Sequence, residues 1–209
     1  MNISNYYWYF KDALSHKFCD DLVQYGLQKK RKLAITEGLN DKKLKKSEIK
    51  ELKKIRNSSI IWLNDPWIYK KIHPFVHEAN KNSGWNYEWD YSEACQFTVY
   101  KPNQHYDWHC DDHKTPSTME GHEKGKIRKL SVTCQLTDRS EYTGGELEFD
   151  CRNYDPSMRD ESKHVIQANE AFEKGSIIVF PSWVWHRVKP VITGTRHSLV
   201  MWNMGYPFK

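Results

Sequence analysis

The stretch from Tyr100 to His113 reads Tyr-Lys-Pro-Asn-Gln-His-Tyr-Asp-Trp-His-Cys-Asp-Asp-His. His105, Asp107, His109, Asp111 and His113 fall at every second position, so an extended backbone would carry all five on one face. Imidazoles and carboxylates with no thiolate among them suit a non-haem Fe(II), Mn or Zn ion better than a structural zinc knuckle. The arrangement to look for is two imidazoles and one carboxylate on one side of the ion, leaving positions for a co-substrate and dioxygen. Either His105 with Asp107 or His109 with Asp111 supplies two such ligands, and the same spacing serves a solvated polar face equally well. A distant strand must supply the third ligand, and His186, following Pro181 at the end of an apolar run, is the best placed. Arg196 stands ten residues further on, where an antiparallel return would bring its guanidinium into the same cavity to grip a dicarboxylate in bidentate fashion.

Strands must hold these side chains. Cys95–Tyr100 is rich in β-formers and leads into the His/Asp stretch across the turn signal Lys101-Pro-Asn. Lys129–Thr137 alternates strictly, with Leu130, Val132, Cys134 and Leu136 on one face and Ser131, Thr133 and Gln135 on the other. Glu146–Phe149, Gly175–Phe180 and Thr195–Trp202 read as further strands, Tyr142-Thr-Gly-Gly as a turn and Asp150–Asn169 as a polar insertion. His113–Lys126 is polar and carries Pro and Gly, which predicts a mobile loop beside the site that can act as a lid. Upstream, Ser15 opens an amphipathic helix that is expected to stop near Gly26, and Asp65-Pro66 opens another that runs to about Asn82 with a bend or break at Pro74. Between them Lys29–Lys54 is strongly basic; Ile49, Leu52 and Ile55 give it a narrow apolar stripe, so its lysines read as the wet face of a helix. Helices followed by many short strands predict an α+β chain whose second half is a β-sandwich or barrel.

With 209 residues, 38% hydrophobic, 28% charged and 14% aromatic, the chain is expected to form a single globular domain, neither disordered nor membrane-embedded. No apolar run has the length of a membrane span, and the first residues lack the order of a secretory signal, so a cytoplasmic location with no membrane partner is expected. Five cysteines with no CxxC pair argue against a disulfide framework and a zinc ribbon. A net charge of +5, concentrated in Lys29–Lys54, permits an acidic or nucleic-acid partner, although no aromatics interleave those lysines.

Taken in order, Lys129-Leu-Ser-Val-Thr, Leu136-Thr-Asp, Tyr142-Thr-Gly-Gly-Glu-Leu, Gly175-Ser-Ile-Ile-Val-Phe-Pro-Ser, His186-Arg-Val-Lys-Pro-Val and Gly194-Thr-Arg resemble the prolyl 4-hydroxylase superfamily of Fe(II)/2-oxoglutarate dioxygenases, and its PKHD-type hydroxylases most closely. The resemblance covers roughly Tyr87–Trp202, with a weaker match in the first helix. It implies a double-stranded β-helix (jelly-roll) core over residues 87–209 with mainly helical support from residues 1–86. It also implies a register for the metal ligands, because the family places tyrosines nine and three residues before its first iron histidine, which are Tyr100 and Tyr106 if that histidine is His109. His109, Asp111 and His186 are then the implied iron ligands and catalytic centre. Arg196 is implied to bind the distal carboxylate of 2-oxoglutarate, with Tyr100 and Ser198 as hydrogen-bond partners and Gln135 beside it, while Tyr106, Arg128 and Trp202 lie near the substrate groove. Where many prolyl hydroxylases have Lys this chain has Arg196, and Arg is the usual residue there in the PKHD branch; Gln135 stands where an aromatic is common.

The implied activity is hydroxylation, most directly of a prolyl residue in a peptide or protein, with release of succinate and CO2. The implied requirements are Fe(II), 2-oxoglutarate and O2, with ascorbate as an optional reductant. The same constellation would serve an oxygenase of nucleic acid or of a small molecule, and a non-enzymatic metal-binding barrel is the alternative from another class.

Overall fold

The computed structural model describes residues 2–29, 32–33, 45–112, 115–152 and 159–208. In chain order its elements are β1 (Trp8–Phe10), α1 (His16–Gln28), β2 (Lys32–Leu33), α2 (Lys46–Ile55), β3 (Arg56–Asn57), β4 (Ser59–Leu63), α3 (Pro66–Asn82), β5 (Tyr91–Ser92), β6 (Cys95–Tyr100), β7 (His105–His109), β8 (Ile127–Gln135), β9 (Tyr142–Gly144), β10 (Leu147–Asp150), β11 (Val165–Gln167), β12 (Ile177–Pro181), β13 (His186–Val188), β14 (Val191–Gly194) and β15 (Arg196–Gly205). The strands form two main antiparallel sheets. The larger has the order β1-β12-β8-β15-β6-β4-β2 with β5 added on β15, and the smaller has the order β11-β10-β13-β7-β3; β9 and β14 pair separately. This is an α+β arrangement, as the strand pattern led one to expect, and a jelly-roll, as the resemblance implied.

The alternation in β8 decides how the larger sheet is used. Leu130, Val132, Cys134 and Leu136 pack with Leu22 of α1 and Ile68, Ile72 and Val76 of α3 in one buried cluster. Ser131 and Gln135 alternate with them and are buried too, at 0% and 2% exposure, which marks the other face as an interior and not as a solvated surface. A second cluster, with Tyr7, Tyr100, Leu147, Phe149, Phe180 and Val184, fills the space between the two sheets. Because both faces of the larger sheet are covered, all six residues of β6 are buried.

Three expectations gain detail. α1 ends at Gln28, two residues past Gly26, and Gly26 lies inside it for a packing reason: a Cβ would lie 2.9 Å from Cδ1 of Phe97. Residues 1–86 are more than helical support, since β1 pairs with β12, β4 with β6 and β3 with β7, so this part completes both sheets. Asp65 holds the N-cap position of α3 without a side-chain capping bond; its carboxylate accepts from the Tyr25 hydroxyl at 2.8 Å. α3 itself continues through Pro74. Of the basic segment, residues 30–31 and 34–44 lie outside the described residues, as do His113 at the head of the expected lid and residues 153–158 of the polar insertion. Residues 117–126 of the lid segment are tied to one another, with Ser117 N–H donating to Lys126 O and Gly125 N–H to Ser117 O, each at 2.8 Å.

Gly26→Ala should therefore destabilise the fold by roughly 1–2 kcal/mol, because overpacking against Phe97 outweighs the better helix propensity of alanine. Urea unfolding would show this as a lower midpoint at unchanged slope; a midpoint at or above the parent's would mean that the Phe97 ring can turn aside.

Candidate active site

The comb of alternating His and Asp side chains is broken by a β-bulge. In the pairing of β7 with β13, His186 lies opposite His109 and Val188 opposite Tyr106, so three steps on β7 match two on β13. The bulge turns Tyr106 and His109 to the same inner side, where their rings stack at 3.5 Å. Asp107 is exposed and accepts from Trp108 N–H at 2.8 Å, and Trp108 lies under the Arg187 guanidinium at 4.4 Å. His105 points elsewhere again, donating from Nε2 to the Lys54 carbonyl at 2.9 Å. Strict alternation thus fails for His105 and Asp107, and His113 lies outside the described residues.

His109, Asp111 and His186 are brought together. Nε2 of His109 is 3.9 Å from Oδ1 of Asp111, Nε2 of His186 is 3.7 Å from Oδ2, and the ligand atoms all lie within 4.8 Å of one another. Among the described residues this is the one group of three or more His, Cys, Asp or Glu side chains so placed. Backbone carbonyls set the imidazole tautomers. His109 Nδ1–H donates to Asp107 O at 2.7 Å and His186 Nδ1–H to Val184 O at 3.0 Å, which leaves both Nε2 lone pairs facing the carboxylate. Asp111 is held by its own backbone, whose N–H donates to Ser182 O at 2.9 Å.

Electrostatics keep His109 and Asp111 ready to ligate. Burial, followed by the neighbouring His186, pushes the His109 imidazole down to about 3, so it is neutral at physiological pH. Burial alone would push the Asp111 carboxyl up, but His186, His109 and Arg128 outweigh it and hold it at about 2. Oδ2 of Asp111 is buried and accepts no hydrogen bond. A buried anionic oxygen without a donor, facing two imidazole lone pairs, fits a cation between them.

Behind this cluster β15 returns antiparallel to β6 and sets Arg196 opposite Tyr100. Arg196 is 3% exposed, its Cζ lies 5.6 Å from the Tyr100 ring centre, and its Nη1 has no hydrogen-bond partner. Tyr100, Tyr106, Arg196, Ser198 and Trp202 line one cavity with His109, Asp111 and His186. The left-handed Gly145 (φ +66°) makes room there, since a Cβ would meet Arg196 Cδ at 3.1 Å. Gln135 is buried near this cavity, but its amide nitrogen already donates to Thr137 O at 2.8 Å and to the Tyr142 hydroxyl at 3.0 Å, so its free atom is an acceptor. Arg128 is clamped by Glu93 through two bonds of 2.6 Å and lies 4.1 Å over the Trp202 ring.

Sequence reasoning passed over Glu93 and Arg56. Arg56 is 7% exposed, stacks 4.3 Å over Tyr106 on the side away from His109, and donates from Nε to Ser58 Oγ at 3.2 Å. It sits at the end of a run of lysines, and only its place opposite Tyr106 in the β3–β7 pair separates it from them.

Residues 95–204 match the 2OG-Fe(II) oxygenase superfamily. A PKHD-type hydroxylase of Prochlorococcus marinus is 31% identical over 110 residues, 53% of this chain and 41% of the relative, so the likeness spans under half of that protein's length. Among solved structures, a Pseudomonas putida prolyl-4-hydroxylase superposes with a TM-score of 0.63 at 17% identity, covering 97% of this chain and 95% of the other. The viral collagen prolyl hydroxylase of Paramecium bursaria Chlorella virus-1, in its 2-oxoglutarate complex, gives 0.61 at 20% identity and covers 96% of each chain. At these identities the two structures establish the likeness of fold.

The depressed His109 value has a consequence for chelator-treated protein. The unfolded imidazole takes up its proton near pH 6.5 and the folded one only near 3, so the unfolded state binds more protons in between. Stability is fully present above that unfolded value and falls as pH drops through the window, by up to roughly 1.4 kcal/mol per pH unit; Asp111 extends the loss below about pH 4. Urea unfolding across this range should give a shallower pH dependence for His109→Gln than for the parent, and equal slopes would contradict the assignment.

Proposed function

The chain belongs to the 2OG-Fe(II) oxygenase superfamily, and on that footing we propose that it is a dioxygenase that hydroxylates a prolyl residue of a peptide or protein. The coupled reaction converts 2-oxoglutarate and O2 to succinate and CO2, one oxygen atom entering succinate and the other the new hydroxyl group. The observation that carries this reading is that, of the unsatisfied buried atoms in one cavity, two belong to charged groups of opposite sign, Asp111 Oδ2 and Arg196 Nη1. The first calls for a cation and the second for a carboxylate, and a metal-binding barrel without turnover has no use for both.

In this reading His109 and His186 hold Fe(II) through Nε2 and Asp111 holds it through its carboxylate. Fe(II) with 2-oxoglutarate bound supplies the activation of dioxygen, and ascorbate would serve to return the metal to the ferrous state. Arg196 receives the distal carboxylate of 2-oxoglutarate and orients it, with the Tyr100 and Ser198 hydroxyls as further donors. Tyr106 and Trp202 bound the space left for the substrate, and Arg128, fixed by Glu93, stands at its edge. The enclosing walls exclude water from the reacting groups. The prolyl peptide as substrate is supported by the prolyl hydroxylases among the structures of like fold and the PKHD-type hydroxylase among the relatives. A cytosolic location agrees with five unpaired cysteines; among the described residues no helix is long and apolar enough to cross a membrane.

Succinate release should depend on 2-oxoglutarate and be stimulated by proline-containing peptides and not by oligonucleotides. His109→Ala, Asp111→Ala and His186→Ala should abolish it, whereas His105→Ala should retain most of it. Arg196→Met should raise the KM for 2-oxoglutarate by about a hundredfold, as loss of a charge-assisted bidentate contact would. The reverse behaviour of His105 and His109 would overturn the assignment of ligands.

A further inference from the structure

A second concavity lies outside this site. A groove of about 750 Å3 runs between residues 85–90 and 205–208, with Lys129 set into its wall. It exists because of another bulge: in the β8–β15 pair Asn203 is opposite Leu130 and Met204 opposite Arg128, so Lys129 is the extra residue. Arg128 is thereby directed to Trp202 and the Asp111 carbonyl, and Lys129 to the groove.

Lys129 is 5% exposed. Among the described residues its ammonium meets the Phe208 ring at 4.5 Å and no hydrogen-bond acceptor. Two carboxylates are near: Asp90 is held by Lys126 at 2.7 Å, and Glu88 is exposed and lies beyond ion-pair range of Lys129. Burial pushes the Lys129 ammonium down against the pull of both. The rest of the wall is aromatic: Tyr87 and Phe208 meet edge to face at 4.8 Å, and Tyr206 and Phe208 are 63% and 54% exposed. The groove also adjoins the metal-binding turn. Ser182 N–H donates to Lys129 O at 3.0 Å, Asp111 N–H donates to Ser182 O at 2.9 Å, and Trp183 Nε1–H donates to the Tyr87 hydroxyl at 3.4 Å.

We propose that this groove is an exosite for the polypeptide substrate, taking an extended, proline-bearing acidic segment whose carboxylate is received by Lys129 while its rings pack on Tyr87, Tyr206 and Phe208. It rests on the reading of the chain as a peptide hydroxylase. The carboxylate supplies the acceptor that the Lys129 ammonium lacks among the described residues, and a polyproline-like segment is already extended and seats its rings on an aromatic-lined groove at low ordering cost.

The test is calorimetric binding to the full chain of a terminally blocked peptide of alternating proline and glutamate, against the same peptide with glutamine. The glutamate peptide should bind at least about tenfold more tightly, the worth of one charge-assisted bond. Lys129→Met should erase that preference, and Phe208→Ala, at an exposed position, should weaken both peptides. Lys124→Met, a lysine paired with Glu120 outside the groove, should behave as the parent and exclude a general charge effect. Equal binding of the two peptides, or a preference that survives in Lys129→Met, overturns the proposal. Intact turnover without this binding counts against the groove alone, and intact binding without 2-oxoglutarate turnover counts against the hydroxylase reading alone.

Discussion

The site depends on one bulged strand pairing. Opposing His186 to His109 across the β7–β13 ladder brings two imidazoles from distant parts of the chain to a ring separation of 4.1 Å, and the extra residue in β7 turns Tyr106 inward beside them. The same backbone fixes the chemistry of the rings, because the carbonyls two residues before each histidine take its Nδ1–H. Asp111 is placed by a backbone bond to Ser182, in the turn that leads to His186. Ladder hydrogen bonds hold the donor set, which is the rigid support that a metal site requires.

The second constraint is the burial of charged groups that each keep an atom without a hydrogen-bond partner. Burying an ion unpaired costs several kcal/mol, and such groups persist in a fold where a ligand supplies the missing partner. Arg196 meets this description at the closed end of the cavity and Asp111 Oδ2 at the metal end. Arg128 differs, because Glu93 neutralises it through two short bonds and makes it a fixed wall. Together they give a cavity with an unpartnered carboxylate oxygen on one side and an unpartnered guanidinium nitrogen on another, the complement that the proposed metal-chelated dicarboxylate requires.

Much of this was legible in the residues, and the failures have physical causes. The alternation of β8 separated Leu130, Val132, Cys134 and Leu136 from Ser131, Thr133 and Gln135 correctly, because that sheet has two unlike buried faces. The ten positions from His186 to Arg196 proved enough for a return strand that sets Arg196 beside Tyr100. The period of two misled where a bulge interrupts it, so His105 and Asp107 were grouped with His109 when only His109 faces inward. Strands of two or three residues such as β1, β2 and β3 are too short to show a period, so the contribution of the first 86 residues to both sheets was invisible. Arg56 and Glu93 acquire their places only from long-range pairing.

The most direct measurement is an anaerobic titration of metal-free protein with Fe(II) and then 2-oxoglutarate, followed by visible absorption. A charge-transfer band that grows with 2-oxoglutarate to one equivalent, and that is lost in Asp111→Ala, is the result expected if the two unsatisfied atoms await a cation and a dicarboxylate. Fe(II) binding with no band on adding 2-oxoglutarate would contradict it.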